Sequence, residues 1–487
     1  MNTSRIARLL CLTLCVLMLM TGCMQPVINT PQPASAASPN AAPATIHFVD
    51  DDGITINLDA PATRIISLYS AHTENLFDLG AGTSVIGGHT TCTYPPEAAF
   101  LETFDYTGDP EQVIAAEPDL VLIRPFIRRK APDYVAELER AGIPVVSLYP
   151  ESYEAFPAYI EKLAMLTGTE EAAKEKLDAF YQSIEDIREK TSAVSEKQTV
   201  FFEATETNIR TVTPDSMPAR AIEYAGGINL ASDVVPTSEG STIAEFGVEN
   251  ALAHADDIDV YISQRGAMNS GGNLISIGER PGYDTIKAVR DGRVYLINEK
   301  LISSPTFRYY KGIHEVARFL YPELMDDSSA YASDTLADKR DFANMVVRAL
   351  HLPVYVPASS KYYQTEQKGH IYGLFADVPW TDADFDYIET AVFGGYVEWA
   401  AGEDGKEYFL PEEHVTREAL AKTVFLVGAF AAQDTHVSIR DIGDCEKPRI
   451  VQTLVDNGVF ALTDGKFEPG RFVTQQEILD VLALAIQ

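Results

Sequence analysis

The sequence predicts an α/β protein of two lobes joined by a long α-helix and followed by a small, mostly α-helical repeat module. Three observations predict it. Between about residues 170 and 190, Ala173, Leu177, Phe180, Ile184 and Ile187 recur at alternating steps of four and three, one apolar helical stripe with no Gly or Pro in it. On either side, short apolar strands alternate with helical patterns, the grammar of largely parallel sheets covered on both faces. Near the C-terminus two segments repeat one another, as stacked helical units do. A length of 487 residues suits about three domains of ~100–200 residues each. With 38 basic and 71 acidic residues the formal net charge is −33, which argues against nucleic acid or an anionic membrane surface as a partner.

Residues 1–23 read as a targeting segment. Arg5 and Arg8 form a positive start, Leu9 to Met20 is an apolar run too short to span a bilayer, and the run ends in Met20-Thr21-Gly22-Cys23. This ending resembles the lipobox of bacterial lipoproteins. The resemblance implies export, cleavage before Cys23, lipidation of Cys23 and an extracytoplasmic protein anchored to the outer face of the cell membrane. Residues 24–45 are Pro, Ala, Ser, Asn and Gln with few large apolar residues, the composition of a disordered tether. Cys92 and Cys445 lie in different predicted domains with no His or Cys at zinc spacing, so two partly buried free thiols are expected and no structural disulfide.

The first lobe is expected over residues 46–150. It opens with a hairpin from Ile46 to Asp59 turning at Asp52-Gly53. A strand follows at Arg64 to Tyr69, and Ser70 with Glu74 marks a helix start. Next come a strand at Val85 to Gly88, a helix at Glu111 to Glu117, a strand at Leu120 to Ile123, a helix at Ala131 to Ala141 and a strand at Ile143 to Leu148. The connecting helix occupies residues 151–195, and its second part spans roughly 30 Å at ~1.5 Å per residue, enough to hold two lobes apart. The second lobe, residues 196–325, repeats the alternation. Its strands are Thr199 to Glu203, Asp259 to Ser263 and Arg293 to Ile297, and its helices are Met217 to Ala225, Val248 to His254, Thr285 to Val289 and Gly312 to Leu320.

Each lobe places a glutamate, Glu111 or Glu249, at the start of a short helix that feeds an apolar strand. Alone, each is the acidic first-turn residue that a helix dipole favours. As a pair at matching places they present two carboxylates to a partner's arginines. Together with Pro61-Ala-Thr-Arg64-Ile-Ile-Ser67, Leu79-Gly80-Ala81, Pro118-Asp119-Leu120-Val121, Gly142-Ile143-Pro144-Val145-Val146 and Ala288-Val289-Arg290-Asp291-Gly292-Arg293-Val294-Tyr295, they make residues 46 to 322 resemble the periplasmic-binding-protein family that delivers iron-siderophores, haem or cobalamin to ABC importers. The resemblance implies two Rossmann-like lobes with the ligand between them. It also implies that Glu111 and Glu249 dock on the permease.

The ligand-binding candidates come from strand ends, where α/β sheets bind. They are Tyr69 and His72, Arg124 with Arg128, Arg129 and Lys130, and Gln264, Arg265 and Met268, with Arg308 and Tyr309 after the last strand. The basic group crowds into seven positions of a very acidic chain, and Arg124 is expected to pair with anionic oxygens of a metal chelate. Arg128, Arg129 and Lys130 read equally as a solvated charge run. A lone strand-end His72 reads as a hydrogen-bonding residue sooner than as a metal ligand, and Tyr309 reads as packing. No cofactor and no resident metal are expected.

From residue 326 to 487 the pattern changes. Phe375-Ala-Asp377-Val, Gly395-Tyr-Val, Asp404-Gly405, Phe409-Leu-Pro411 and Val415-Thr416-Arg417-Glu418 are echoed by Ile439-Arg-Asp441-Ile, Gly458-Val-Phe, Asp464-Gly465, Phe467-Glu-Pro469 and Val473-Thr474-Gln475-Gln476-Glu477. Lys339 to Leu350 reads as the end of a degenerate first repeat. These stretches resemble S-layer homology repeats, and the resemblance implies cell-wall polymer binding at Thr416, Arg417 and Glu418. The second copy lacks the arginine. No Gly-x-Ser-x-Gly, His-Glu-x-x-His or P-loop is present. The expected function is a lipid-anchored solute receptor handing a metal chelate to an ABC permease. The alternative is a cell-envelope structural or adhesion protein whose cleft is filled.

Overall fold

The computed structural model describes residues 46–325 and 331–486, apart from 151, 239–240, 267, 270–273, 332, 351, 353 and 355–374. The targeting segment, Cys23 and the tether lie outside the described residues.

The first lobe begins with β1 (Ile46–Val49) and β2 (Thr55–Leu58), paired antiparallel. Asp50 holds their turn by accepting from the amides of Asp52 and Ile54, and Gly53 takes a φ of 80° there, a conformation that costs glycine nothing. Then follow β3 (Ile65–Ser67), α1 (Ser70–Asp78), β4 (Val85–Gly88), β5 (Glu102–Thr103), α2 (Pro110–Ala115), β6 (Leu120–Ile123), α3 (Pro125–Lys130), α4 (Pro132–Arg140) and β7 (Val145–Ser147). The strands form one parallel sheet in the order β5-β4-β3-β6-β7. All four residues of β6 are 0% exposed, because helices cover both faces and an unbroken apolar run is what such a strand needs. The chain reaches β4 and β5 on one side of β3 and β6 and β7 on the other. A crevice therefore opens at the carboxyl ends of β3 and β6, where the winding reverses.

The connecting stretch is two helices rather than one. α5 (Phe156–Thr167) ends at Gly168, whose φ is 70°, and α6 (Glu170–Ser192) follows. The stripe of Ala173, Leu177, Phe180, Ile184 and Ile187 is buried, and Phe180 packs tilted against Phe156 and edge-to-face against Phe307, at 5.1 and 6.0 Å between ring centres. Residues of both lobes and of this helix pair share one core.

The second lobe comprises β8 (Thr199–Glu203), β9 (Arg210–Val212), α7 (Met217–Tyr224), β10 (Ile228–Asn229), β11 (Ile243–Glu245), α8 (Val248–Ala253), β12 (Val260–Arg265), α9 (Leu274–Gly278), α10 (Lys287–Arg290), β13 (Val294–Asn298), α11 (Glu299–Ile302), α12 (Tyr309–Leu320) and α13 (Pro322–Met325). Its main sheet is parallel in the order β10-β8-β12-β13, with β9 and β11 as a separate antiparallel pair.

The C-terminal part contains α14 (Lys339–Ala349), α15 (Phe385–Phe393), the short pair β14 (Ala400–Ala401) and β15 (Glu407–Tyr408), α16 (Arg417–Val427), α17 (Pro448–Asp456) and α18 (Gln475–Ile486). The repeated residues do the same work twice. Asp377 accepts from the amides of Phe409 and Leu410, and Asp441 from those of Phe467 and Glu468. The second residue of each pair has a positive φ, 61° at Leu410 and 60° at Glu468. Asp338, Thr416 and Thr474 each accept from an amide three residues on, capping α14, α16 and α18. The segments before these helices close a ring of backbone bonds, Ala337 to Val473, Val473 to Val415 and Val415 to Ala337. The module is thus a pseudo-threefold arrangement in which residues 336–350 occupy the third place.

Candidate ligand-binding cleft

At the carboxyl ends of β3 and β6 the chain delivers Tyr69 and Arg124 side by side. The Arg124 guanidinium carbon lies 4.8 Å from the Tyr69 ring centre and 4.9 Å from that of Phe126, within reach of cation–π attraction. Both residues line a cavity of about 380 Å³ between the lobes, a volume in the ordinary range for small-molecule sites. Tyr106 and Tyr149 add two more phenols to the first-lobe wall. His89, after β4, stacks on Tyr106 with ring centres 5.5 Å apart, and burial lowers its pKa from the usual value. The second lobe contributes Met217, Met268, Glu299, Lys300, Ser303 and Ser304.

The charges differ in how they are spoken for. Arg124 has no ion-pair partner among the described residues, whereas Lys300 donates to Ser70 Oγ at 2.9 Å. Burial lowers the Lys300 pKa from its ordinary value, so the site favours an anion that would restore its charged form. Glu299 accepts from the Met268 amide at 2.8 Å. Gly266 lies so close to Glu299 that a Cβ there would overlap its side chain, and Met268 stands at the cleft beside it. Met268 is 44% exposed, an apolar thioether left open at the rim.

Of the residues expected to bind ligand, Tyr69, Arg124 and Met268 line the cavity and the others do not. His72 is 0% exposed, with Nδ1 2.7 Å from Tyr159 Oη and Nε2 3.0 Å from the Ile123 carbonyl. The carbonyl must accept, so Nε2 carries the proton and Nδ1 accepts from the phenol, and burial pushes the pKa down to about 4. Arg128 bonds Asp52 and Glu139, tying the hairpin turn to α4. Arg129 and Lys130 end α3 in solvent, where the helix dipole favours cations. Gln264 is a buried strut between the Ala204 carbonyl and Ser303. Arg265 is exposed at the end of β12. Arg308 is buried and holds Glu74 in a two-pronged pair, so Glu74 is spent on the lobe interface; α1 itself, with Tyr69 at its N-cap, starts without a side-chain cap. Tyr309 is packed, its hydroxyl on the Met217 carbonyl.

Four further lining residues also follow strands, His89 after β4, Tyr149 after β7, and Glu299 with Lys300 after β13, whereas Met217 opens α7 and Ser303 and Ser304 follow α11. The strand-end rule applied to every strand reaches the first four and leaves out the last three. Among the described residues no three His, Cys, Asp or Glu side chains gather as a metal-holding group, and no helix is long and apolar enough to cross a membrane.

Glu111 and Glu249 are exposed in the first turns of α2 and α8, with no ion-pair partner among the described residues. Thr416, Arg417 and Glu418 are engaged within the repeats. Thr416 caps α16, Glu418 accepts from the Lys447 amide at 2.7 Å, and Arg417, 5% exposed, donates to the carbonyls of Phe467 and Ala461. Glu418 and both terminal nitrogens of Arg417 bond residues of the following repeat, and the Arg417 Nε is buried without a hydrogen-bond partner, a structural task that leaves little of Arg417 for a polymer.

Residues 65–301 match the model of a family described as periplasmic binding protein. An uncharacterized ABC transporter substrate-binding lipoprotein of Bacillus subtilis is 25% identical over 311 residues, covering 63% of this chain and 94% of that protein. A vitamin B12-binding protein of Vibrio campbellii is 27% identical over 261 residues, 53% of this chain and 89% of that one. Among solved structures, a possible iron-binding periplasmic solute-binding protein of Staphylococcus epidermidis is 25% identical with a TM-score of 0.47, covering 53% of this chain and 98% of its own. The periplasmic vitamin B12-binding protein of Vibrio cholerae is 23% identical with a TM-score of 0.44, over 54% of this chain and 98% of its own. The family match takes in both parallel sheets and the helix pair between them, and the fold is that of a periplasmic binding protein.

Proposed function

We propose that this chain is the solute-binding component of an ABC importer and captures a metal chelate, an iron-siderophore, haem or a corrinoid, in the cleft between its lobes. The observation that carries the reading is Arg124, a guanidinium without an ion-pair partner among the described residues, set against Tyr69 in an open cavity with Lys300 across from it. Such a wall pairs with anionic oxygens of a ligand through Arg and packs its flat or apolar parts on phenol rings. Relatives named as vitamin B12-binding and as an ABC transporter substrate-binding lipoprotein support it. On this reading Glu111 and Glu249 meet arginines of the permease, Cys23 carries the lipid and residues 24–45 give the receptor reach. Residues 326–487 carry the S-layer-homology-like repeats, and a cell-wall polymer would meet them away from Arg417, which is buried.

The test is calorimetric titration of the full chain with cyanocobalamin, haemin and ferric hydroxamate and catecholate siderophores. One chelate is expected to bind, and Arg124→Ala to weaken it about 10- to 100-fold, the worth of one charged hydrogen bond. A folded chain that binds none of them points to the envelope-structural alternative. Undiminished affinity in Arg124→Ala removes the arginine from the site.

A further inference from the structure

The C-terminal module does not merely follow the binding lobes. It packs where the lobes meet. Arg308 of the second lobe and Glu74 of the first form a buried two-pronged pair at 2.5 and 2.7 Å. The Arg308 guanidinium lies 3.5 Å from the ring centre of Tyr94, a first-lobe residue. Tyr94 in turn contacts Trp380 and Phe385 of the module, with ring centres 6.0 and 6.3 Å away. The next residue, Asp386, is 0% exposed and accepts from Lys311 at 2.5 Å, and Lys311 lies three positions beyond Arg308. The contacts close into a circuit through both lobes and the module. Tyr94 belongs to the module's core cluster and not to the lobes' own.

The same loop reaches the cleft. His89 and Thr91 line the cavity, and Tyr94 follows Thr91 by three residues, at most ~10 Å of chain. Cys92 pins the stretch between them through its amide to the His89 carbonyl and its thiol to Thr73. A displacement of the rim cannot be absorbed far from Tyr94.

We propose that Tyr94 is a positioning residue that couples the ligand cleft to the C-terminal module, so that the module clamps the two lobes together and holds the 89–94 rim in place. Because coupling is reciprocal, occupancy of the cleft tightens the packing of α15 as much as docking of α15 favours the occupied cleft. That the rim touches a transported chelate rests on the function proposed above; the clamp itself does not.

Amide hydrogen exchange on the full chain tests it without any ligand. Tyr94→Leu and Asp386→Asn are each expected to raise exchange about fivefold or more at residues 89–94 and 74–78, with β6 and β12 unchanged, and Tyr94→Phe to behave as the unaltered chain. Loosening confined to residues 379–393 in Asp386→Asn, with the rim exchanging as before, overturns the proposal. Should the variants lose protection in β6 as well, the unaltered chain decides. Adding cyanocobalamin or haemin is then expected to slow exchange at both 89–91 and 385–393, and protection of the rim alone overturns the coupling. Absence of rim protection with every chelate counts against the transport reading, and the clamp is then decided by ligand-free Trp380→Leu, which removes the ring that meets Tyr94 from the module's side: faster exchange at residues 89–94 supports it and an unchanged rim overturns it.

Discussion

A histidine whose two ring nitrogens are both engaged inside a protein has nowhere to put a second proton, and His72 is such a group. Its pKa is held at about 4 against an ordinary 6.5. As the pH falls, the unfolded chain takes up the proton first, so the stabilisation is complete above pH 6.5 and is lost between 6.5 and 4, by up to about 3 kcal/mol. Asp78 works in the opposite sense. Burial raises its carboxyl from 3.8 to about 6, the folded state keeps the proton longer, and stability declines as the pH rises through that window. The two slopes oppose one another in the intact chain, so His72 must be isolated by difference. Denaturant unfolding is expected to show His72→Gln costing roughly 2–3 kcal/mol less relative to the unaltered chain at pH 4.5 than at pH 7; an equal cost at both values contradicts the assignment. At this scale the sequence was partly legible. Tyr69 and Arg124 follow directly from strand ends, but His72 and Arg308 do not, since whether a polar side chain turns to the cleft or to a buried partner depends on Tyr159 and Glu74, residues remote in the chain.

Elements were most legible where a side chain performs one task in two places. The Asp of each C-terminal repeat clamps a left-handed turn by accepting two backbone amides, which is why the Asp and the Phe recur together while the residues between them drift. Removing that acceptor strands two amides next to a residue at φ near 60°. Asp441→Ala is therefore expected to destabilise the module by about 2–4 kcal/mol, from two hydrogen bonds to a charged acceptor. Trp380 and Trp399, the 2 tryptophans of the chain, both lie in this module, so the loss reads out as an earlier fluorescence transition in urea. An unmoved transition means that the turn is held by other contacts. The break at Gly168 was harder to see. Apolar residues continue through both helices, and only the left-handed φ of the glycine, with Pro61 3.1 Å from where a Cβ would sit, separates them.

At the scale of the whole molecule, alternation of strands and helices gave two parallel sheets, because a strand covered on both faces has to be uniformly apolar and therefore announces itself. The docking of the module against Tyr94 and Lys311 had no such signal, since a single buried aromatic or ion pair has no period. Glu111 and Glu249 belong to this scale too, because one sits on each lobe and neither has an ion-pair partner among the described residues. Carboxylates that a partner recognises from separate lobes contribute independently, provided the partner is rigid and the charges are more than a Debye length of about 10 Å apart. Glu111→Lys and Glu249→Lys are accordingly expected to leave chelate affinity within about twofold, since neither lines the cavity, and each to weaken binding to the reconstituted permease. The double variant should weaken it by about the product of the two single effects, as additivity of distant sites requires. Permease binding that survives the double variant removes these residues from the docking face, and a change in chelate affinity places them in the cleft's own network instead.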